Sequence, residues 1–181
     1  MDRKERIEMA ALDLFCERGF HGTTVPAIAA RAGVSVGLMY RYFTSKEDLV
    51  NHLYRLWKER LRGTIEARVL PVEGYREQFR AFCHAVLGFA REQTQAFLFL
   101  ETHHHGPYQD EPTFEVSRAG RERVLDFLRQ GQQLGLLKPL PAELLLCIVW
   151  GAIKEAVARL PDLTPEQDAQ LEDCCWLALA H

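Results

Sequence analysis

The sequence predicts an all-α fold of about nine helices, and three observations lead there. Apolar residues recur every three to four positions along almost the whole chain. Ser, Thr, Gly and Pro stand where such segments would begin and end. No stretch of period-two alternation is long enough to compete as a strand. With 181 residues and 48% apolar composition, the chain can bury a sizeable core, as one domain or as a small plus a larger one.

Each element follows from local signals. Residues 3–18 place Ile7, Ala11, Leu14 and Phe15 on one face, and Gly19 stops that helix. Thr23 or Thr24 can cap a second helix, with Pro26 tolerated in its first turn. Gly33 supplies a tight turn, and Ser35 caps a third helix from Val36 to Phe43. Ser45 caps a long fourth helix that Pro71 ends. A fifth carries Tyr75, Phe79, Phe82, Val86 and Phe89 at helical spacing. A sixth covers 94–105 and closes at Gly106-Pro107; Pro107 to Pro112 forms a loop. A seventh runs from Thr113 to Leu134 with Val116, Val124, Phe127 and Leu128 inward, before Gly135 and the Pro139/Pro141 pair. An eighth spans 141–160, and a ninth spans 165–179 behind a Thr164 cap.

Charge is shared unevenly. Residues 1–62 hold 11 Lys/Arg against 8 Asp/Glu, whereas the rest holds 11 against 17. The net charge of −3 therefore hides a basic N-terminal part that can meet an anionic partner, since phosphate attraction acts within roughly 10 Å. The five cysteines, Cys16, Cys83, Cys147, Cys174 and Cys175, form no CxxC pair, so neither a disulfide framework nor a thiolate zinc site is expected. Four of them stand in apolar helical contexts and read as core thiols. The N-terminus MDRKER has no apolar run behind it, and no membrane-spanning stretch occurs. A cytoplasmic protein without membrane contact is expected.

The most informative segment is GFHGTTVPAIAARAGVSVGLMYRYFTSKEDL, residues 19–49. It reads as two short helices joined by a tight turn and followed by a longer helix, the plan of a helix-turn-helix DNA reader. Gly19, Thr23, Thr24, Ile28, Ala29, Ala32, Gly33, Val34, Ser35, Gly37, Tyr40, Tyr42, Phe43, Lys46, Glu47 and Leu49 fall at signature positions. Through them the first 50 residues or so resemble the tetracycline-repressor (TetR) family. The resemblance implies a dimeric, ligand-responsive transcription regulator, with a DNA-binding domain at 1–47 and a ligand-binding and dimerisation domain at 48–181. It matches Tyr40, Tyr42, Lys46 and either Thr23 or Thr24 to phosphate contacts. It matches Val36, Gly37 and Leu38, just after the Ser35 cap, to the base-reading edge. From the residues themselves, Met39 and Phe43 lie four apart and face inward, against Ile28 and Phe15. Arg41 is the one long donor left on the reading face. Val36 and Leu38 make no hydrogen bonds and can meet only thymine methyls or shape, so preference rests partly on DNA deformability.

Two further surfaces are expected. The fifth to eighth helices are rich in aromatics, which either fill a core or wall a cavity; the family resemblance favours the cavity. The residues expected around a ligand are Leu61, Phe82, Val86, Phe89, Leu100, His103, His104, Tyr108, Phe127 and Trp150, with Lys154 a further polar candidate. The run His103-His104-His105 invites a metal reading, but consecutive helical residues point about 100° apart and cannot converge on one ion. No metal, cofactor or catalytic residue is implied. The last two helices are apolar on more than one face, which suggests a partner. By resemblance these two helices meet their copy through Leu145, Ile148, Val149, Ala152, Ile153, Ala156, Cys174 and Leu177. Two other readings stay open: a DNA-binding dimer with no small-molecule ligand, and a helical metal protein or enzyme using the histidines.

Overall fold

Nine helices account for most of the described residues, which are 2–104, 106–160 and 162–181 of this computed structural model. They are α1 (Arg3–Gly22), α2 (Val25–Ala32), α3 (Val36–Tyr42), α4 (Lys46–Val69), α5 (Tyr75–Glu92), α6 (Thr94–His103), α7 (Glu111–Gln133), α8 (Ala142–Arg159) and α9 (Pro165–Leu179). Local capping explains several boundaries. Asp2 and Glu5 form a reciprocal box at the start of α1, and Thr164 with Gln167 does the same for α9. Gly19 breaks α1 at φ 67°, a left-handed backbone that costs glycine little. Helix α6 ends at His103, ahead of the Gly106-Pro107 stop signal, and α7 takes Pro112 into its first turn, where a missing N–H costs nothing. His105 lies outside the described residues, so the three-histidine run is visible only as His103 and His104.

The chain forms two compact units. The first unit takes the chain up to Glu59 together with Gln93–Ser117. In it α1 packs on α2 and α6, and α2 packs on α3. Ile7, Leu14, Phe15, Ile28, Met39, Leu49, Leu53, Phe97 and Phe99 form its core. Helix α6 belongs here because its aromatic face needs an apolar partner. The Phe99 ring lies 6.1 Å from that of Phe15.

The second unit takes Arg60–Glu92 and Arg118–His181, with α5 packed on both α8 and α9. Tyr75 stacks on Phe127 at 4.5 Å and donates its hydroxyl to the Phe127 carbonyl at 2.9 Å. That approach needs Gly131, where a Cβ would stand 2.3 Å from the Tyr75 hydroxyl. Helix α9 turns its carboxylates inward. Arg76 and Arg80 of α5 both hold Glu172, Arg76 also reaches Asp173 at 2.6 Å, and Arg91 holds Asp168. Glu172 is fully buried. A buried carboxylate survives only when paired, and here it has two guanidinium partners.

Only two of the cysteines expected in the core are there. Cys83 and Cys175 are buried, whereas Cys147 and Cys174 are exposed on the outer faces of α8 and α9. Burial pushes the Cys175 thiol up to about 11 and raises Cys83 as well, so both are held as inert neutral thiols. No helix among the described residues is long and apolar enough to cross a membrane.

Candidate nucleic-acid interface

The helix-turn-helix is built from three local devices. The Thr24 hydroxyl caps α2 by accepting the Ala27 N–H at 3.3 Å. Gly33 closes α2 in the left-handed conformation at φ 64°. The Ser35 hydroxyl then caps α3 by accepting the Leu38 N–H at 3.1 Å. Arg31 forks onto Glu17 at 2.6 and 3.0 Å and ties α2 to α1.

Helix α3 buries a single side chain, Met39. Tyr40 is 52% exposed and Tyr42 43%, and Val36, Gly37 and Arg41 are also open to solvent. Leu38 is half-buried. No hydrogen bond or ion pair engages the Arg41 side chain among the described residues. The outer face therefore presents two phenols and a guanidinium above a short apolar edge. Such a surface can donate to phosphate oxygens and to a guanine edge. Thr24 is exposed beside it, at the N-terminus of α2, where backbone N–H groups suit an anion.

Two expected phosphate contacts are used differently. Thr23 is fully buried, and its hydroxyl donates to the carbonyls of Leu14 at 2.9 Å and Gly19 at 2.8 Å. It is a structural clasp below the Gly19 break, not a surface donor. The Lys46 ammonium donates to the carbonyls of Phe20 at 2.7 Å and Thr23 at 2.9 Å, and sits 4.1 Å from the centre of the Phe20 ring. It satisfies the exposed carbonyls at the end of α1, as a cation near a helix C-terminus should. Lys46→Ala is therefore expected to cost about 1–3 kcal/mol of stability. The salt slope of DNA binding should stay as in the parent. Urea unfolding and affinities across a salt series check this, and a slope flattened by about one unit would return Lys46 to the phosphates.

The ten residues expected around a ligand fall into two groups. Leu100, His103, His104 and Tyr108 lie in the first unit; Leu61, Phe82, Val86, Phe89, Phe127 and Trp150 lie in the second. All but one of the polar side-chain atoms of the first set that the fold buries meet one another or near neighbours, the exception being His103 Nε2. His104 Nδ1 meets the hydroxyls of Tyr54 and Ser117, each at 3.0 Å, and His103 Nδ1 meets the Tyr108 hydroxyl. The second unit holds an apolar cavity of about 10 Å³ lined by Phe79, Phe82, Val124, Phe127, Leu128, Leu146 and Val149. That is about the room one water needs. Phe82 and Phe127 line it; Val86, Leu61 and Phe89 are buried elsewhere in the core, and Trp150 is half-buried. Of the lining contributed by α7 and α8, only Phe127 was among the residues expected around a ligand, although the 124, 127 and 128 spacing marked the inward face of α7.

His103 is 2% exposed, with its Nε2 unpartnered, and burial lowers its pKa from 6.5 to about 4. The folded protein thus holds a neutral imidazole that the unfolded chain would protonate near 6.5. Stability from this group is full above that value and is lost as pH falls towards 4. Unfolding free energy should drop by roughly 2 kcal/mol between pH 7 and pH 5. His103→Gln should remove that part of the slope, as chemical denaturation at both pH values would show. Among the described residues no group of three or more His, Cys, Asp or Glu side chains is placed to hold a metal ion.

The residues of α8 and α9 expected at a partner face differ in exposure within the single chain. Leu145, Val149, Ile153 and Ala156 are buried within the protomer, because this stripe packs on α5 and α9. Ile148 and Ala152 are half-buried. Leu144 and Cys147 on α8, and Cys174 and Leu177 on α9, face outward. Leu177 is 71% exposed.

Comparison with known proteins decides the family. Residues 8–53 match the model for bacterial regulatory proteins of the tetR family, and residues 57–181 match the tetracyclin repressor-like C-terminal domain. The chain belongs to the tetR family. It is a helix-turn-helix transcriptional regulator, in a family that is not enzymatic. The transcriptional repressor KstR2 of Mycobacterium tuberculosis is 31% identical over 155 residues, spanning 76% of this chain and 70% of that protein. The regulator RutR of Escherichia coli is 27% identical over 183 residues, spanning 94% and 81%. Among solved structures, a TetR-family regulator of Marinobacter aquaeolei VT8 has a TM-score of 0.85 at 22% identity, covering 98% of this chain and 95% of that one. AibR, in complex with isovaleryl coenzyme A and operator DNA, has a TM-score of 0.79 at 23% identity, covering 98% of both chains. The structures share the fold. The family binds operator DNA and effector ligands.

Proposed function

We propose that the protein is a repressor that binds a palindromic operator as a homodimer and is released by a small apolar or amphipathic ligand. The observation that carries the DNA-binding part is helix α3, which buries only Met39 and holds Tyr40, Arg41 and Tyr42 outward. Packing alone would not retain such a helix, because its outer face contributes little to the protomer core. DNA reading is assigned to 1–47, and ligand binding and dimerisation to 48–181, with α6 of the latter packed beside the DNA-reading helices.

Dimerisation is supported by the inverted character of α9. This helix buries Asp168 and Glu172 against arginines while leaving Leu177 and Cys174 outside. An exposed leucine beside an exposed thiol, on a helix that spends two carboxylates inside, suits a second copy. The ligand reading is supported by the small apolar cavity between α5, α7 and α8. A ligand larger than a water must widen it, so binding favours a different population of conformers, which is the coupling that release from DNA requires.

Selection from a random duplex library tests the proposal. The expected product is an inverted repeat with half-sites about one helical turn apart. Failure to enrich any sequence would overturn it. A thermal-shift screen of apolar and amphipathic metabolites then separates a ligand-released repressor from a dimer that responds to none.

A further inference from the structure

The turn after α6 carries Tyr108, whose ring packs into the first unit. Its ring stacks on Phe20 with centres 3.9 Å apart and planes 23° apart. A near-parallel ring at that distance fills one face of Phe20, so the Lys46 ammonium, 4.1 Å from the same ring centre, occupies the other. Lys46 is also tied to the Phe20 and Thr23 carbonyls, which lead directly into α2. The result is a three-layer stack from the α6–α7 turn, through the end of α1, to the first residue of α4.

Tyr108 is over-determined for a turn residue. Its hydroxyl meets His103 Nδ1, and its carbonyl accepts the Asn51 Nδ2 hydrogen at 2.8 Å. Asn51 Oδ1 in turn accepts the Asp110 N–H at 3.1 Å. Gly106 leaves the space in which the ring lies; a Cβ there would stand 2.3 Å from Tyr108 Cζ. Arg55 reaches the same turn through both Asp110 carboxylate oxygens at 2.9 Å. Every one of these groups belongs to the first unit.

We infer that Tyr108 is a positioning residue for DNA binding, holding α1 and the start of α4 in the arrangement that presents α3. It touches no residue of the reading face and acts through Phe20 and Lys46. The physical argument is one of populations. If the stack holds the binding-competent arrangement, its loss lowers the competent fraction, and apparent affinity falls by that fraction. No phosphate contact is removed, so the salt slope stays unchanged.

This inference rests on the proposed DNA reading, and the test keeps the two apart. The probe is the duplex enriched by the unmodified protein; if none is enriched, it is the DNA reading that fails. On that duplex, Tyr108→Ala should bind about tenfold more weakly with the parent salt slope. Tyr108→Phe, which keeps the ring on Phe20, should bind as the parent does. Gly106→Ala keeps every side chain and displaces only the ring, and should repeat the loss if Tyr108→Ala fails to fold. A merely structural role would lower the melting temperature but leave the affinity of folded protein untouched. Parent affinity in folded Tyr108→Ala or Gly106→Ala would overturn the inference, as would a loss in Tyr108→Phe as large as in Tyr108→Ala.

Discussion

Leu177→Glu should convert the protein to monomers and weaken operator binding by more than a hundredfold. Leu177 is 71% exposed in the protomer, so a carboxylate there is hydrated and the single chain folds as before. In a dimer packed through the outer faces of α8 and α9, the same carboxylate is buried against its copy with no cationic partner. An unpaired buried charge of that kind costs about 3–5 kcal/mol, which corresponds to roughly two to four decades in the association constant. Each monomer then carries one α3 and loses the gain from engaging two half-sites at once. Sedimentation shows the first effect and titration of the selected duplex the second. A soluble variant that still sediments as a dimer would place the interface away from this face.

Arg41→Ala is expected to weaken binding by about ten- to a hundredfold and to change which bases are preferred. Its guanidinium is exposed, uncommitted within the described residues, and the only long donor among Val36, Gly37, Leu38, Tyr40 and Tyr42. A bidentate contact to a guanine edge carries about 1–3 kcal/mol of discrimination. Repeating the selection with the variant should therefore relax one position in each half-site. Unchanged preferences with a salt slope smaller by about one unit would put Arg41 on the phosphate backbone instead.

The two variants probe parts that differ in how legible they were. The helix-turn-helix is written in local chemistry. Thr24 and Ser35 cap their helices, Gly33 takes the left-handed turn, and Met39 faces inward because its neighbours in the sequence dictate it. Each of these interactions spans four residues or fewer, or follows from helical periodicity, so sequence alone fixes it. The number of helices and most of their ends, to within a residue or two, were equally legible.

What sequence could not supply was the choice among equivalent partners. Helix α8 is apolar on most of its circumference, so periodicity cannot say whether the stripe of Leu145, Val149 and Ile153 or that of Leu144 and Cys147 turns inward. Packing against α5 and α9 decides it. Thr23 and Thr24 are adjacent and chemically alike, yet one is clasped to Leu14 and Gly19 and the other caps α2, because the Gly19 break sets the direction in which the chain enters. Lys46 and Tyr108 bind groups 23 to 57 residues away, or stack on rings brought to them by other helices. Local sequence thus determined the DNA-reading motif, whereas the tertiary structure decided which polar side chains remain free for a partner. The reason is that backbone caps are satisfied within a turn of chain, while a buried polar or aromatic group takes whichever partner the packed helices bring within reach.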